Sequence, residues 1–449
     1  MNRFWSSLLI VVSLSTYRDP AWKPVVNDLV AKHPELKCDV LAVGGSVTDS
    51  LEGIKERKPR YVAFVMKPEE ARFMTILELN RMMRRIDDDP FDDAIWGIVS
   101  GPTAADARRI ASSKEPARFD AVLSTTGLST DIVSGPVVKL SDANPPGEWV
   151  EKAAGGAEVK NCSTGDLSHV FAKAWNELDP QFLLTSSHAS QRNLEMPFSR
   201  GNIVPFEGGF ATCPDLRMID YRTGQAQPGV ARAEAIGERL KAPKREKVWL
   251  ASGNCLIADN AQGANMVMTA LGFGKVNQFV GYIATTWFGE IGWDTWKYFG
   301  TDRLPLNESY YFANQFLLKK LTDILLNQSD FHPVVEDAES YNRIIREIRR
   351  FEFKVARRPE DGQQLMGMLW DRDATCFWGD PAQEYALPAS VARASDLPRP
   401  IVFPSAKPGR KLLKAPDGFE VFTADDFALV LKWPGELKPG WEKELEFSE

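Results

Sequence analysis

Short apolar runs in the first 140 residues, separated by stretches with helical spacing, constrain this chain more than any other feature. The runs are Leu8–Val12, Val40–Val43, Tyr61–Val65, Ala94–Val99 and Ala121–Leu123. Unbroken apolar runs mark strands buried on both faces, as in parallel sheets. Helices are expected at Pro20–Lys32, at Pro68–Ile86 with proline and carboxylates near its start, and at Ala104–Ser113. Strand and helix alternating in this way predict an α/β fold, a parallel sheet flanked by helices.

After residue 140 the rhythm loosens. Pro145-Pro146-Gly147 and Gly155-Gly156 mark loops, and Leu167–Asn176 reads as a helix. Three further apolar strands each stop at a loop. Phe182–Thr185 ends at Ser186-Ser187-His188, Val248–Leu250 at Ala251–Cys255, and Phe279–Ala284 at Thr285-Thr286-Trp287. Helices are expected at about 305–328 and 337–356. Beyond 395 a proline-rich tail with alternating patterning, Glu420–Phe422 and Ala428–Leu431, predicts a small β unit.

Bulk properties exclude several classes. A chain of 449 residues exceeds one small core, and 44% hydrophobic with 26% charged residues is ordinary for a globular protein. The net charge of -7 leaves no basic footprint for nucleic acid. No run approaches the ~20 apolar residues of a membrane span. Residues 1–15 read two ways. As a strand, Leu8–Val12 favours a cytoplasmic protein; as a short signal peptide, the same segment would make it secreted. The strand reading is preferred, because cleavage would remove a sheet element.

Five cysteines, odd in number and never closely paired, form neither a disulfide framework nor a zinc pattern. Of the four histidines only His188 lies just past an apolar strand in a loop of small residues, and Cys255 has the same placement. Ligands of parallel α/β sheets bind beyond the carboxyl ends of the strands. An imidazole and a thiol on two such ends make a nucleophile and its acid/base partner. The alternative is a small buried cysteine and a satisfied loop histidine, and placement alone leaves both open.

Phe182 to His188 and Lys247 to Cys255 resemble the catalytic strand ends of the caspase-like cysteine peptidases, the gingipain family among them. Gln278 to Trp287 is similar to the strand that lines the specificity pocket in that family. Asp87 to Asp93 with Ala94 to Val99 resembles its acidic turn and strand, and Phe377-Trp378-Gly379-Asp380-Pro381 the segment closing the catalytic domain. The similarity spans roughly residues 60 to 385. It implies a caspase-like fold of two α/β subdomains, residues 1–140 and 141–395, with an immunoglobulin-like β region over 396–449. It implies a polypeptide substrate, Cys255 as nucleophile and His188 as acid/base, and an oxyanion held by the N–H groups of Ala189 and Cys255. The pocket would be walled by Leu79, Asn80, Thr285, Thr286 and Trp287. No cofactor is required, although calcium on Asp87, Asp89 and Asp92 is a second expectation.

The sequence departs from the pattern. Ala189 stands where glycine usually follows the histidine, and the 67 residues from His188 to Cys255 are more than the family leads one to expect. The excess predicts a hairpin, Ile203–Phe206 with Leu216–Tyr221, and a short helix near 231–240. The expected pocket holds no acidic group, so an uncharged residue before the scissile bond is expected. These departures keep a second class in view, a catalytically inactive scaffold or binding protein.

Overall fold

A computed structural model describes residues 7–114, 119–214, 236–286, 289–301, 303–325, 367–369 and 371–387, with short stretches between 401 and 447. The first strands are β1 (Ser7–Ser13), β2 (Lys37–Val43), β3 (Tyr61–Val65), β4 (Ile95–Val99), β5 (Val122–Ser124) and β6 (Val137–Leu140). β7 (Glu148–Lys152) and β8 (Glu158–Cys162) follow, then β9 (Phe182–Thr185). A small sheet holds β10 (Ala189–Ser190), β11 (Asn193–Glu195), β12 (Asn202–Phe206) and β13 (Gly209–Thr212). β14 (Lys247–Ala251), β15 (Val276–Tyr282) and β16 (Thr375–Gly379) complete the main set.

The main sheet has twelve strands among the described residues, in the order β2-β1-β3-β4-β16-β15-β14-β9-β5-β6-β7-β8. It is parallel from β2 to β16 and from β15 to β6. The only reversals lie at β16–β15 and at the β6–β7–β8 edge. The two parallel blocks therefore point in opposite directions, and the fold is α/β with helices on both faces.

Leu8–Val12 is an inner strand, paired with β2 and β3 and almost wholly buried. β14 shows why such runs are apolar throughout. Trp249 packs into one core and Val248 and Leu250 into the other, and β9 divides Leu183 from Phe182 and Leu184 in the same way.

The helices are α1 (Leu14–Arg18), α2 (Lys23–Lys32), α3 (Leu51–Arg57), α4 (Phe73–Met83), α5 (Ala104–Ser112) and α6 (Ser168–Leu178). The later ones are α7 (Met266–Leu271), α8 (Glu290–Trp296) and α9 (Leu306–Leu325). α5 opens on a capping box in which Thr103 and Asp106 satisfy each other's backbone N–H groups. None of the described helices is long and apolar enough to cross a membrane.

Two local expectations are corrected. β12 turns through Glu207-Gly208, both at positive φ, straight into Gly209–Thr212, because such a pair makes a tight hairpin turn. Leu216–Tyr221 lies outside the described residues. Of the helix expected near 231–240, residues 236–240 are not helical, and Arg239 bridges to Ala211 alongside β13. The expected helix at 337–356 also lies outside the described residues. In the tail, β17 (Ile401–Val402), β18 (Leu412–Lys414), β19 (Glu420–Thr423), β20 (Ala428–Lys432) and β21 (Glu446–Phe447) make two small antiparallel sheets.

Candidate active site

β9, β14 and β15 are neighbours and parallel, so the loops leaving their carboxyl ends gather on one edge of the sheet. The register pairs Thr185 with Ala251. His188 follows three residues after the first and Cys255 four after the second. Thr285 and Thr286 leave β15 on the other side of Cys255; Trp287 lies outside the described residues.

The histidine and cysteine loops are stitched together by Asn254, which is fully buried. The Trp249 indole N–H donates to the Thr185 hydroxyl at 2.8 Å, Thr185 donates to the Asn254 side-chain oxygen, and the Asn254 amide donates to the Ser187 carbonyl. Ser252 adds a bond to the Thr185 carbonyl at 3.2 Å. Gly253 owes its place to this closeness: a Cβ there would lie 2.3 Å from the Ser186 hydroxyl oxygen. Further out, Gln191 donates to Asp259 at 3.1 Å, where burial pushes the carboxyl up to about 6. On the far flank α8 packs so tightly that a Cβ on Gly292 would meet the Ser252 carbonyl oxygen at 2.0 Å.

The Cys255 thiol donates to the Thr286 carbonyl at 3.7 Å. Burial pushes this thiol up, and the nearby Asp371 carboxyl adds to the effect. His188 is exposed, and its imidazole has no hydrogen bond among the described residues. The two loops are thus brought side by side, with the thiol turned toward Thr286 and not bonded to the imidazole. Leu256, next after Cys255, sits at φ 60, a strained conformation for leucine, pinned by its N–H bond to the Ala284 carbonyl.

Ala189 begins the edge strand of the small sheet. The Glu195 N–H donates to the His188 carbonyl at 2.9 Å, and antiparallel ladders alternate bonded with non-bonded pairs. Ala189, paired with Leu194, is therefore the non-bonded residue, and its N–H points out of the free edge.

The expected pocket wall is only partly assembled. Leu79 and Asn80 are buried on the inner face of α4, and the Asn80 amide donates to the carbonyls of Ile76, Asp373 and Thr375. Asn80 thereby braces the start of β16, and both side chains are buried, not facing a cleft. The expectation of no acidic group beside the threonines is also corrected. Asp371, fully buried, accepts bonds from the Thr286 hydroxyl at 3.1 Å, the Tyr282 hydroxyl at 3.2 Å and the Glu290 N–H at 2.7 Å. Burial pushes its carboxyl up to about 7, against these three bonds. Asp373 behaves as an ion-paired residue, held by Arg81 and Arg84. Asp371 and Asn254 are the residues that sequence reasoning missed.

The acidic turn does not gather its carboxyls. Asp87 and Asp89 accept the backbone N–H groups of Asp89 and Phe91, while Asp92 is buried and pushed up to about 7 by desolvation. Among the described residues no group of three histidine, cysteine or acidic side chains is arranged to hold a metal.

No protein-family model matches the chain, and no curated protein matches it. Solved structures to which it is similar include the following two. The Arg-specific cysteine proteinase gingipain R (RGPB) is 11% identical with a TM-score of 0.43, over 96% of this chain and 92% of that one. The complex of Porphyromonas gingivalis RgpB pro- and mature domains is 10% identical with a TM-score of 0.42, over 98% and 99%. Both are distant likenesses.

Proposed function

We propose that the chain is a cysteine peptidase acting through Cys255 and His188. The observation that carries this reading is the Asn254 stitch, which joins two neighbouring strand ends bearing the thiol and the imidazole. A rotation of the Cys255 side chain away from Thr286 turns the thiol toward His188. The Sγ proton passes to the imidazole as the S–C bond forms at the scissile carbonyl. The oxyanion is held by the N–H groups of Cys255 and Ala189. The C–N bond then breaks, and the imidazolium gives its proton to the leaving amine. Water, deprotonated by His188, attacks the thioester; the S–C bond breaks and the thiolate takes the proton back.

Thr285 and Thr286 line the side chain before the cut. Asp371 lies behind Thr286, buried and with all three of its donors in place, so it presents no free anion to a cation. An unpaired guanidinium or ammonium there would cost several kcal/mol, so an uncharged residue is preferred before the scissile bond.

The resting thiol, raised by burial and bonded to Thr286, favours one further reading: a non-catalytic scaffold that keeps the fold for binding. One experiment separates them. Peptidyl acyloxymethyl-ketone probes with varied side chains, read by mass mapping, label Cys255 in the wild type and fail with Cys255→Ala and His188→Ala. Mapping is needed because Cys162 is exposed. A wild type unlabelled across the whole panel sinks the peptidase, and labelling confined to Arg or Lys probes sinks the uncharged preference alone.

A further inference from the structure

Across the hairpin from His188 lies a buried carboxyl oxygen with no hydrogen-bond partner among the described residues. Ala189 pairs with Leu194 and Ser190 with Asn193, and the Glu195 N–H bond to the His188 carbonyl extends this ladder by one pair. Directly opposite residues in an antiparallel ladder carry their side chains on the same face, with Cα atoms about 5.5 Å apart in a bonded pair. Ala189 and Leu194 turn into the hydrophobic core. His188 and Glu195 therefore share the other face.

That face is polar and otherwise paired. Ser190 bonds Asn193, Asn193 bonds Asn202 at 2.8 Å, and Asn202 bonds the Cys213 carbonyl at 3.3 Å. Glu195 is the exception: it is 3% exposed, and its Oε2 is buried with no hydrogen-bond partner. Among the described residues it also has no ion pair. A buried acceptor left without a donor is costly, and such groups in a folded protein call for an explanation. The donor that would satisfy it is the one opposite: the exposed His188 ring has two nitrogens and no bond of its own.

We infer that Glu195 is a positioning residue for His188. Its Oε2 accepts the N–H of the ring nitrogen turned away from Cys255, which fixes the tautomer and leaves the other nitrogen's lone pair facing the thiol. The inference rests on His188 serving as the acid/base group, but its test does not depend on turnover.

The chain has only four histidines, so the ring nitrogens of 15N-histidine-labelled protein are resolvable, and His188 is assigned by its loss in His188→Asn. At pH 8, where free imidazole is neutral, wild-type His188 shows one dominant tautomer, whereas His169, exposed on α6, shows the mixture of free imidazole. Glu195→Gln, close in shape, shifts His188 toward the mixture and slows probe labelling of Cys255 roughly ten- to a hundredfold, less than the roughly hundred- to ten-thousandfold of a general acid–base group itself, because the imidazole is still present. Glu195→Asp, with the carboxyl drawn back, falls between. Wild-type His188 matching His169 overturns the inference without any variant, and an unchanged pattern in a folded Glu195→Gln overturns it equally. Failure of the wild type to label Cys255 removes the peptidase reading while leaving the tautomer result to stand.

Discussion

Strands β9 and β14 run side by side, and their two ends are built on opposite plans. At the amino end Lys247, fully buried, lies with its ammonium against Asp179, bonds the Pro180 carbonyl at 2.8 Å and sits 5.0 Å over the Trp175 ring. Asp179 caps α6 in the left-handed region and also takes the N–H groups of Lys244 and Arg245. Every group there is satisfied. At the carboxyl end, among the described residues, the thiol makes one long hydrogen bond, the imidazole none, and the Ala189 N–H faces outward. The backbone is locked by Asn254 while the thiol and the imidazole are not bonded to each other. The saturated end holds the strands together; the open end leaves most of its polar groups unspent.

Removing a charge from the saturated end gives the largest effect. Burial pushes the Lys247 ammonium down to about 8 despite its partner, whereas Asp179, desolvated less, is held below its usual range by that same ammonium and its backbone donors. Asp179→Asn leaves a buried cation unmatched and destabilises by about 3–5 kcal/mol in urea unfolding at pH 7. Lys247→Met with Asp179→Asn recovers most of the loss. The folded-state value near 8 lies below the free value of 10.5, so raising pH between them favours the folded state, and the single variant's penalty shrinks there. Loss of Cys255 labelling in the folded double variant would break the comparison, because the amino end would then act on the chemistry.

A smaller effect is expected from Asp371, where the open end borrows a buried acid. Its folded-state value of about 7 lies above the ordinary 3.8. The folded protein therefore holds a proton that the unfolded chain releases between those values. The stabilisation is complete below about pH 4 and lost as pH rises toward 7, at up to about 1.4 kcal/mol per pH unit. Asp371→Asn cannot ionise, so its melting temperature stays flatter across pH 4–7 than the wild type's, and the two differ least near pH 4. Parallel melting curves would show that Asp371 is already ionised when folded.

Tyr61–Val65 and Phe182–Thr185 are strands at the residues expected from sequence, because strands covered on both faces leave unbroken apolar runs. β7 and β8 escaped because their edge is antiparallel and polar, with Glu158–Cys162 largely exposed. That the His188 and Cys255 loops lie side by side was legible by the same logic: each follows an apolar run and small residues. Asp371 was not. Asp371-Arg372-Asp373 looks alike at both ends, and only the fold sets Asp373 among arginines and Asp371 behind Thr286. Asn254 was hidden for a similar reason, since an asparagine before a cysteine carries no signal until its two strands are adjacent. Leu79 and Asn80 were placed by resemblance, but the inner face of α4 buries them.

The smallest effect sharpens the comparison most, because it sets one cysteine against another. Cys255 is only partly covered, and its thiol makes a single 3.7 Å bond, a weak one for sulfur. Cys376 is fully buried in β16, within the core, where burial alone drives its thiol well above its usual range. Truncating a core side chain costs the transfer of the lost atom plus the void it leaves, whereas a rim position refills with water. Cys376→Ala should therefore cost more than Cys255→Ala, which should stay within about 1 kcal/mol of the wild type. Urea midpoints for the two variants, measured side by side, decide the order. If Cys255→Ala proves the more destabilising, the thiol is part of the stitching between the strand ends, and the division between a saturated end and an open one fails at its central residue.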